Sequence, residues 1–563
     1  MRPVTRWSIN KEIKMEIATF KIKGMTCDHC AQTVEKQFTG NEGILKKEVS
    51  YPAGSGQFTY DPDQITKAQI IDTINTTGHY TVIGEVGSES SSENTFDLII
   101  IGGGSGAFAA AITAEEKGAK VAIINAGLPI GGTCVNVGCV PSKYLIRAAE
   151  TVHKATLSSF NGIDLTAPKV NLKEIIQGKK ELVSQLRQEK YVNVVKNKER
   201  IKIIEGWAKF LESTSVLVND SDVYKAPRII IATGSTTRIP EIEGLKESGY
   251  LTNGTLFDLE ELPESLTILG AGYIGLEIAM AYNRLGSKVR ILEFTDRPLR
   301  SQTADISDEI AKHMEAEGIE LFPNYRIESI ATKEGNKVIS GIDKKLNESF
   351  EFVEKGDIVV ATGTVANTSG IGLENIGINL DERGSILVNN KQETNVENIF
   401  AVGDCTNTPA FVYTAAAEGK TAALNAIENA EYSTDYKGLP WVVFTDPQIA
   451  GAGMDEIEAE SRGIPFETAT LPLSSVPRAI AALDTRGFIK LIRNPETDEI
   501  LGIRVVAPDG GELVMQVSLA IKFGIKSEEL ANSLFPYLTL SEGVKLAAIT
   551  FKKDVKELSC CAV

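Results

Sequence analysis

The sequence predicts an α/β protein with two Rossmann-like nucleotide-binding domains, preceded by a small βαββαβ domain and followed by an α+β domain. Two glycine-rich turns, each between an apolar strand and a helix, predict the nucleotide-binding domains. A pair of cysteines, Cys134 and Cys139, lies between these turns. The 563 residues are too many for one hydrophobic core, so several domains are expected.

The composition excludes several classes of protein. The formal net charge of −17 argues against binding to nucleic acids and to anionic membrane surfaces. No apolar run is long enough for a membrane span, and the first residues lack a signal-peptide pattern. We therefore expect a cytoplasmic protein whose seven cysteines are reduced thiols. One of them, Cys405, is expected to be packed in the interior. The other six form close pairs: Cys27 and Cys30, Cys134 and Cys139, and Cys560 and Cys561.

The small domain begins near residue 15, after an extension over residues 1–14 without a clear pattern. Its strands and helices follow the order βαββαβ, which is the ferredoxin-like arrangement. Cys27 and Cys30 lie in its first loop, GMTCDHC, at the start of a helix. A helix N-terminus favours thiolates, so this pair can hold a soft metal ion in two-coordinate geometry. The loop resembles that of heavy-metal-associated domains. A redox CxxC is the alternative, but the element order is not thioredoxin-like.

The first glycine-rich turn follows a serine-rich linker over residues 86–95. Gly102, Gly104 and Ala107 fit the pattern G-x-G-x-x-A between a strand and a helix. Glycines there allow a pyrophosphate to approach the helix N-terminus. The residue expected to hold the ribose is usually acidic, but here it is Asn125, which can still form hydrogen bonds without charge.

The second glycine-rich turn completes G-x-G-x-x-G with Gly270, Gly272 and Gly275. Glu293 ends the second strand of this unit, where an acidic side chain favours the free 2′-hydroxyl of NADH. Arg297 and Arg300 follow, and their charge can blunt that preference. The choice between NADH and NADPH therefore stays open at this point.

The cysteine pair between the turns belongs to the segment GGTCVNVGCVPSK, residues 131–143. In a chain without a secretory signal, such a pair is typical of a metal site or a redox dithiol. Two buried small side chains are the alternative, and the flanking nucleotide-binding units argue against it. The tail has a further pair, Cys560 and Cys561. A disulfide between neighbouring cysteines is strained, so we interpret this pair as a carrier of soft metal ions. The alternative is an incidental pair of cysteines at a frayed chain end.

The order of motifs from residue 96 to residue 563 resembles the flavin disulfide-reductase family. With the amino-terminal metal domain and the Cys-Cys tail, it resembles the branch that reduces Hg(II). The resemblance implies FAD and NAD(P)H as cofactors, NADPH being usual in the family. It also implies small thiols as carriers of Hg(II), and a homodimer with a shared active site. The implied domains are an extension (1–14), a heavy-metal-associated domain (15–85), a linker (86–95), an FAD-binding domain in two parts (96–238 and 365–431), an NAD(P)-binding domain (239–364) and a dimerisation domain with the tail (432–563).

One segment separates this branch from its neighbours. Disulfide-reducing members carry a histidine that protonates the departing thiolate. The corresponding stretch here is YLTLSE, with Tyr537 at the histidine position and Glu542 retained, and no histidine follows His313. Reduction of a thiolate-bound metal ion needs no such proton. Two alternatives remain: a disulfide reductase of the lipoamide or glutathione type, and a non-catalytic metal-binding flavoprotein.

The resemblance also implies individual roles. Cys139 is implied to be the thiolate nearest the flavin and Cys134 the outer thiol, both binding Hg(II). Lys143 is implied to pair with Glu277 near flavin N5. Residues implied to line the flavin are Ala107, Gly127, Thr133, Ala208, Asp404 and Val412, with Asp404 on the ribityl chain. Tyr191 and Tyr537 are implied to flank the metal, and interface packing is the alternative role for Tyr537. The tail pair, Cys560 and Cys561, is implied to deliver the metal from the partner subunit.

Overall fold

The computed structural model describes residues 15–76, 78–86, 94–156 and 160–557. The chain divides into two compact units, Met1–Asp97 with Gly206–Pro227, and Leu98–Glu205 with Arg228–Val563. Each unit is described by itself. None of the described helices combines the length and the apolar character needed to cross a membrane.

The first unit contains the predicted small domain. Its four antiparallel strands follow the order β2-β3-β1-β4, which confirms the ferredoxin-like arrangement. Phe20, Phe58 and Ile70 are completely buried between the sheet and the helices. The strands are β1 (Glu16–Lys23), β2 (Ile44–Ser50), β3 (Ser55–Tyr60) and β4 (Thr81–Val86), and the helices are α1 (Asp28–Lys36) and α2 (Lys67–Asn75).

The first unit also contains a separate antiparallel sheet of three strands in the order β10-β9-β8. Phe210 and Val216 are buried in it. Its strands are β8 (Ala208–Glu212), β9 (Ser215–Val218) and β10 (Asp222–Lys225).

The second unit begins with the first nucleotide-binding domain, a parallel sheet of five strands in the order β21-β11-β5-β6-β7. The central strands are fully buried isoleucine-rich runs, as expected for a parallel sheet covered on both faces. Gly106 and Gly419 let α3 and α12 approach closely, because a Cβ on Gly419 would collide with the Gly106 carbonyl. The strands are β5 (Leu98–Ile101), β6 (Val121–Asn125), β7 (Ile201–Glu205), β11 (Ile229–Ile231) and β21 (Ile399–Ala401), and the helices are α3 (Ser105–Glu116), α4 (Gly132–Asn136), α5 (Cys139–Thr156), α6 (Leu172–Arg187), α7 (Asn193–Lys196) and α12 (Val412–Glu428).

The second nucleotide-binding domain is built on four parallel strands in the order β15-β14-β13-β19. A small antiparallel sheet, β16-β17-β18, completes it, and the short sheet β12-β20 lies where the chain passes between the two nucleotide-binding domains. The strands are β12 (Ser235–Thr237), β13 (Ser265–Leu269), β14 (Lys288–Glu293), β15 (Glu320–Pro323), β16 (Tyr325–Lys333), β17 (Asn336–Asp343), β18 (Glu348–Glu354), β19 (Asp357–Val360) and β20 (Thr364–Ala366), and the helices are α8 (Leu245–Ser248), α9 (Asn253–Leu256), α10 (Tyr273–Leu285) and α11 (Ala304–Ala316).

The third domain of this unit is an antiparallel sheet of five strands in the order β22-β23-β26-β25-β24, with helices packed on it. Together the three domains confirm the predicted fold class. The strands are β22 (Pro440–Val443), β23 (Gln448–Gly453), β24 (Glu467–Pro472), β25 (Phe488–Arg493) and β26 (Ile500–Ala507), and the helices are α13 (Glu456–Ser461), α14 (Pro477–Ala482), α15 (Gly511–Lys522), α16 (Ser527–Asn532) and α17 (Glu542–Ile549).

Candidate active site and metal-binding loop

The GMTCDHC loop of the small domain brings two thiols together. The Sγ atoms of Cys27 and Cys30 are 3.6 Å apart, and Cys30 Sγ lies 3.5 Å from Thr26 Oγ1. Hydrogen bonds from Thr26, and then from Tyr80 and Cys27, lower the pKa of Cys30 to about 6. Among the described residues, no cluster of three histidine, cysteine or acidic side chains surrounds the loop. The loop therefore offers two sulfur ligands and suits a soft ion in two-coordinate geometry.

The first glycine-rich turn forms an open helix N-terminus. Gly102 has φ +125°, and a Cβ there would collide with the Ala232 carbonyl. Helix α3 follows with Gly104 as its N-cap and no capping side chain. Its first backbone N–H groups can therefore bind a phosphate. Gly132 packs against this turn so tightly that a Cβ on it would lie 2.7 Å from the Cα of Gly104.

A cavity of about 870 Å³ extends from this turn to the cysteine pair and to the third domain. Its volume is in the range of cofactor sites. The uncapped N-termini of α3 and α12 flank it. The glycine cradle, the two helix ends and the aromatic walls fit a dinucleotide with a planar ring, such as FAD. Its aromatic side chains are Phe411, Tyr413, Trp441 and Phe444.

Several predicted residues line this cavity, and others do not. The predicted lining residues are Gly104, Thr133, Cys134, Cys139, Lys143, Asp404 and Val412. Ala107 is completely buried in α3, and Gly127, with φ +77°, lies in a turn after β6. Ala208 lies in β8 of the first unit. Asn125 is buried below the turn, where its amide donates to the Leu128 carbonyl and to Glu205, each at 3.1 Å. The roles of these four residues at the cofactor stay predictions.

The cysteine pair is electronically asymmetric. Cys139 is the first residue of α5, and a helix N-terminus favours a thiolate. The hydrogen bond from Cys134 and the nearby cation of Lys143 lower the pKa of Cys139 to about 7. The same hydrogen bond and burial raise the pKa of Cys134. Near neutral pH, Cys139 is therefore the more ionised thiol of the pair, and Cys134 holds its proton.

A cation is fixed beside this thiolate. Lys143 Nζ donates to Glu277 Oε2 at 2.8 Å and lies 4.5 Å from the ring centroid of Phe444. The backbone N–H of Phe444 donates to Glu277 Oε1 at 3.0 Å. Both carboxylate oxygens of Glu277 are thus held, one by α5 and one by the third domain. The sequence pattern contains no sign of the Phe444 contact.

Asp404 closes another part of the cavity. Its Oδ2 atom accepts a hydrogen bond from Ser235 Oγ at 3.1 Å, and burial raises the pKa of its carboxyl group. Ser235 is a lining residue that the sequence pattern does not indicate. It follows β11, whose neighbour β21 leads to Asp404, so the parallel sheet brings the two side chains together.

Tyr191 lies next to the glycine turn. It belongs to a π-helical turn over Gln188–Val192, which follows α6. The hydroxyl of Tyr191 is 3.2 Å from Ser105 Oγ, and its ring packs edge-on against Phe108 at 5.0 Å. Burial raises the pKa of Tyr191.

Of the other residues implied to flank or deliver the metal, the structure describes Tyr537. Tyr537 is about half-exposed between α16 and α17, and Glu542 is buried at the start of α17. Cys560 and Cys561 lie outside the described residues. The roles of Tyr537 and of the tail pair stay predictions.

An open apolar groove reaches Cys139 from outside the cavity. It has a volume of about 660 Å³ and lies on α5 and α6. Cys139 and Lys143 line both the groove and the cavity. The reactive thiol is therefore accessible from two sides. The other lining residues are Val140, Tyr144, Arg147, Ala148, Thr151, Ile175, Leu182 and Leu186.

The second glycine-rich turn forms a separate nucleotide site. Helix α10 begins after Gly272 without a capping side chain, and a Cβ on Gly270 would lie 2.6 Å from the Ala361 carbonyl oxygen. Glu293 accepts hydrogen bonds from the Ala271 N–H at 2.6 Å and from the Thr295 N–H at 2.7 Å. Its carboxylate thus braces the turn that surrounds it. These features fit the pyrophosphate and ribose of a nicotinamide coenzyme.

Comparisons with known proteins agree with this geometry. The sequence model of the pyridine nucleotide-disulphide oxidoreductases matches residues 96–419, and that of their dimerisation domain matches residues 439–548. The model of the heavy-metal-associated domain matches residues 19–79. The chain is 39% identical to a mercuric reductase of Lysinibacillus sphaericus over 548 residues, which cover 96% of this chain and 98% of that protein. It is 41% identical to a mercuric reductase of Streptomyces lividans over 472 residues, with 83% and 98% covered.

A solved structure is also similar. The HOCl-induced flavoprotein disulfide reductase RclA from Escherichia coli superposes with a TM-score of 0.71 at 30% identity. The match covers 80% of this chain and 98% of RclA.

Proposed function

Because the chain belongs to the pyridine nucleotide-disulphide oxidoreductase family and, within it, to the mercuric reductases, we propose that it reduces Hg(II) to Hg(0) with NAD(P)H. The observation that carries this proposal is the asymmetric pair of Cys134 and Cys139 on the wall of a cavity that fits FAD. The absence of a histidine at Tyr537 supports a metal substrate over a disulfide substrate.

The residues around the cavity have distinct tasks in this proposal. FAD, when bound, supplies the transfer of an electron pair from the nicotinamide to the Hg(II) ion held by the thiols. Cys139 binds Hg(II) first, because it is the thiolate near neutral pH. Cys134 follows by losing its proton, so that the ion is held between two sulfurs. Each transfer exchanges one soft Hg–S bond for another, and the ion is never released bare.

A single anaerobic assay tests this function. Oxidation of NAD(P)H is followed with Hg(II) in excess thiol, with oxidised glutathione and with oxidised lipoamide. We expect turnover with Hg(II) and release of elemental mercury. Turnover with a disulfide alone would identify a disulfide reductase, and no turnover with any acceptor would leave a metal-binding flavoprotein.

The proposed domain boundaries are those expected from the sequence. The segments matched by the family models, residues 19–79, 96–419 and 439–548, support them, since each falls within the range proposed for its domain or domains. We also propose a cytoplasmic location, because the function needs several reduced thiols.

The homodimer is proposed to share its active sites between subunits. The dimerisation-domain match supports the dimer. The open groove beside Cys139 is apolar, and the third domain exposes Leu534 (97% exposed) and Leu538 (40%) on either side of Tyr537. An apolar groove and an apolar projection of this kind suit a contact between two copies.

A mixed dimer tests the shared site. One subunit carries Cys139→Ser, and the other carries Cys560→Ala with Cys561→Ala. If the tail serves the partner, one site in this dimer is intact, and we expect about half of the wild-type rate with thiol-bound Hg(II). The two parent homodimers serve as controls, and both should be slow. A mixed dimer no faster than its parents would place the tail and the dithiol of a working site in the same subunit.

The metal-binding loop is proposed to collect Hg(II) without taking part in the redox step. Its cysteines belong to the first unit, whereas the redox pair belongs to the second. For Cys27→Ala with Cys30→Ala, we therefore expect less than about a twofold change of kcat/KM with small-thiol complexes of Hg(II). Direct titration of the isolated variant should show the loss of one tight Hg(II) site. A large fall in kcat/KM would make the loop an obligatory step.

The coenzyme is proposed to be NADPH as well as NADH. Glu293 is occupied by donors of its own turn, which weakens the case for NADH alone. The guanidinium groups of Arg297 and Arg300 both pair with Asp296, at 3.3 and 2.9 Å, so its single carboxylate offsets part of their charge. The side chains of this turn therefore do not select one coenzyme over the other.

A further inference from the structure

A lysine from a distant hairpin lies at the end of β14. Lys344 belongs to the turn between β17 and β18. Its Nζ donates to the Phe294 carbonyl oxygen at 2.6 Å and lies 3.7 Å from the centroid of the Phe294 ring. Phe294 directly follows Glu293 and is 57% exposed. The fold therefore places an ammonium group and an exposed aromatic ring next to the strand end that carries the acidic residue.

That strand end is where a dinucleotide-binding unit reads the adenosine ribose. The 2′-position carries a hydroxyl in NADH and a phosphate in NADPH. A phosphate there needs a cation to offset Glu293. Arg297 and Arg300 share Asp296, whereas Lys344 has no carboxylate within ion-pair distance in the described part of the chain. Its neutral partner, a carbonyl oxygen, leaves the charge of Lys344 uncompensated.

We propose that Lys344 binds the 2′-phosphate of NADPH and is the residue that lets this enzyme use that coenzyme. A lysine ammonium is a compact charge with three donors, so it can keep the Phe294 carbonyl and still bind a phosphate oxygen. The exposed ring of Phe294 offers an apolar surface to the adenine. This inference rests on the proposed coenzyme site and is independent of Hg(II) reduction.

Binding of coenzyme fragments tests the inference without turnover. The variant Lys344→Gln loses the charge but keeps a donor for the Phe294 carbonyl. Isothermal titration with adenosine 2′,5′-bisphosphate should show about ten- to a hundredfold weaker binding than in wild type. Adenosine 5′-monophosphate, which lacks the 2′-phosphate, should bind both proteins equally. NADP⁺ and NAD⁺ should repeat this difference.

Three further variants keep the test decisive. Lys345→Gln removes the neighbouring exposed lysine and should leave both affinities unchanged. Lys344→Arg keeps the charge and should retain most of the affinity for the bisphosphate. Lys344→Ala, at the same exposed position, removes the charge and carries the test if the glutamine variant does not fold. An equal loss of affinity for both fragments would mean that Lys344 only braces Phe294. Unchanged affinity for both would exclude any contact with the coenzyme. A negative result in the Hg(II) assay would leave the outcome of this titration unaffected.

Discussion

Substitution of Cys139 by serine should lower the rate of Hg(II)-dependent NAD(P)H oxidation by at least about a thousandfold. The thiol of Cys139 has a pKa of about 7, so a large fraction is thiolate at neutral pH. A serine hydroxyl stays protonated at that pH and is a poor ligand for a soft metal ion. The variant should still fold, because Cys139 is exposed on the cavity wall and the two side chains are similar in size.

Two substitutions of Cys134 distinguish its two proposed roles, the hydrogen bond to Cys139 and the second sulfur ligand to the metal. Serine at position 134 can still donate a hydrogen bond to Cys139, so the thiolate should persist while the second sulfur ligand is lost. Alanine removes both, and we expect the pKa of Cys139 to rise. The rate of iodoacetamide alkylation against pH measures that pKa, and anaerobic Hg(II) titration counts the sites.

The matched control for these substitutions is Cys405→Ala. Cys405 is fully buried, and its thiol donates only to backbone carbonyl oxygens, of Ile231 and Val402. Its loss should reduce stability and leave the rate per folded enzyme unchanged. A Cys139→Ser enzyme that keeps a tenth or more of the wild-type rate would contradict the proposed role of the pair.

The parts of the site that the sequence predicts are the local ones. Gly102, Gly104 and the cysteine pair lie within short segments, where the spacing alone determines the turn or the helix start. Lys143 lies one turn of α5 after Cys139, so the helix period brings it to the same side. Periodicity and motif spacing are therefore sufficient for the two nucleotide-binding turns and for the redox segment.

The parts that the sequence does not predict depend on contacts between distant segments. Phe444 fixes Glu277 through a backbone N–H, a group that every residue except proline carries, so no pattern marks it. Ser235 meets Asp404 only because two sheet strands are neighbours. Lys344 reaches Phe294 from a distant hairpin whose sequence contains no recognisable motif. Asn125 occupies the expected sequence position next to Gly103, and its contact with Glu205 comes from the neighbouring strand, which no local pattern indicates.

These distant contacts have a common consequence for the reactive thiol. Lys143 stabilises the Cys139 thiolate, whereas Glu277 opposes it. The balance depends on how far the carboxylate is drawn away from the thiol. The N–H of Phe444 contributes to that position from the third domain. The same domain carries Tyr537. The domain proposed to contact the partner subunit therefore also helps to position the carboxylate of Glu277 next to the dithiol.

Substitution of Lys143 by methionine should raise the pKa of Cys139 above its value of about 7 and move the pH profile of Hg(II) reduction to higher pH. The hydrogen bond from Cys134 is the larger cause of the low pKa and remains, so the thiolate is weakened but not lost. Below the new pKa the rate should fall in proportion to the thiolate fraction, which drops about tenfold for each unit by which the pKa rises. At high pH, where both enzymes are ionised, the rates should converge.

Substitution of Glu277, the ion-pair partner of Lys143, should shift the pKa of Cys139 in the opposite direction. Glu277→Gln removes a negative charge that raises the pKa of Cys139, so the pKa should fall and the profile should move to lower pH. Lys179→Met is the matched control, since Lys179 is a buried lysine paired with Asp258 at 2.5 Å. Its loss should lower the melting temperature and leave the alkylation profile of Cys139 unchanged. Changes of the same sign in the lysine and glutamate variants, or any change in the control, would mean that the pKa follows general loosening of the fold. Changes of opposite sign at position 143 and position 277 would assign it to the charge pair.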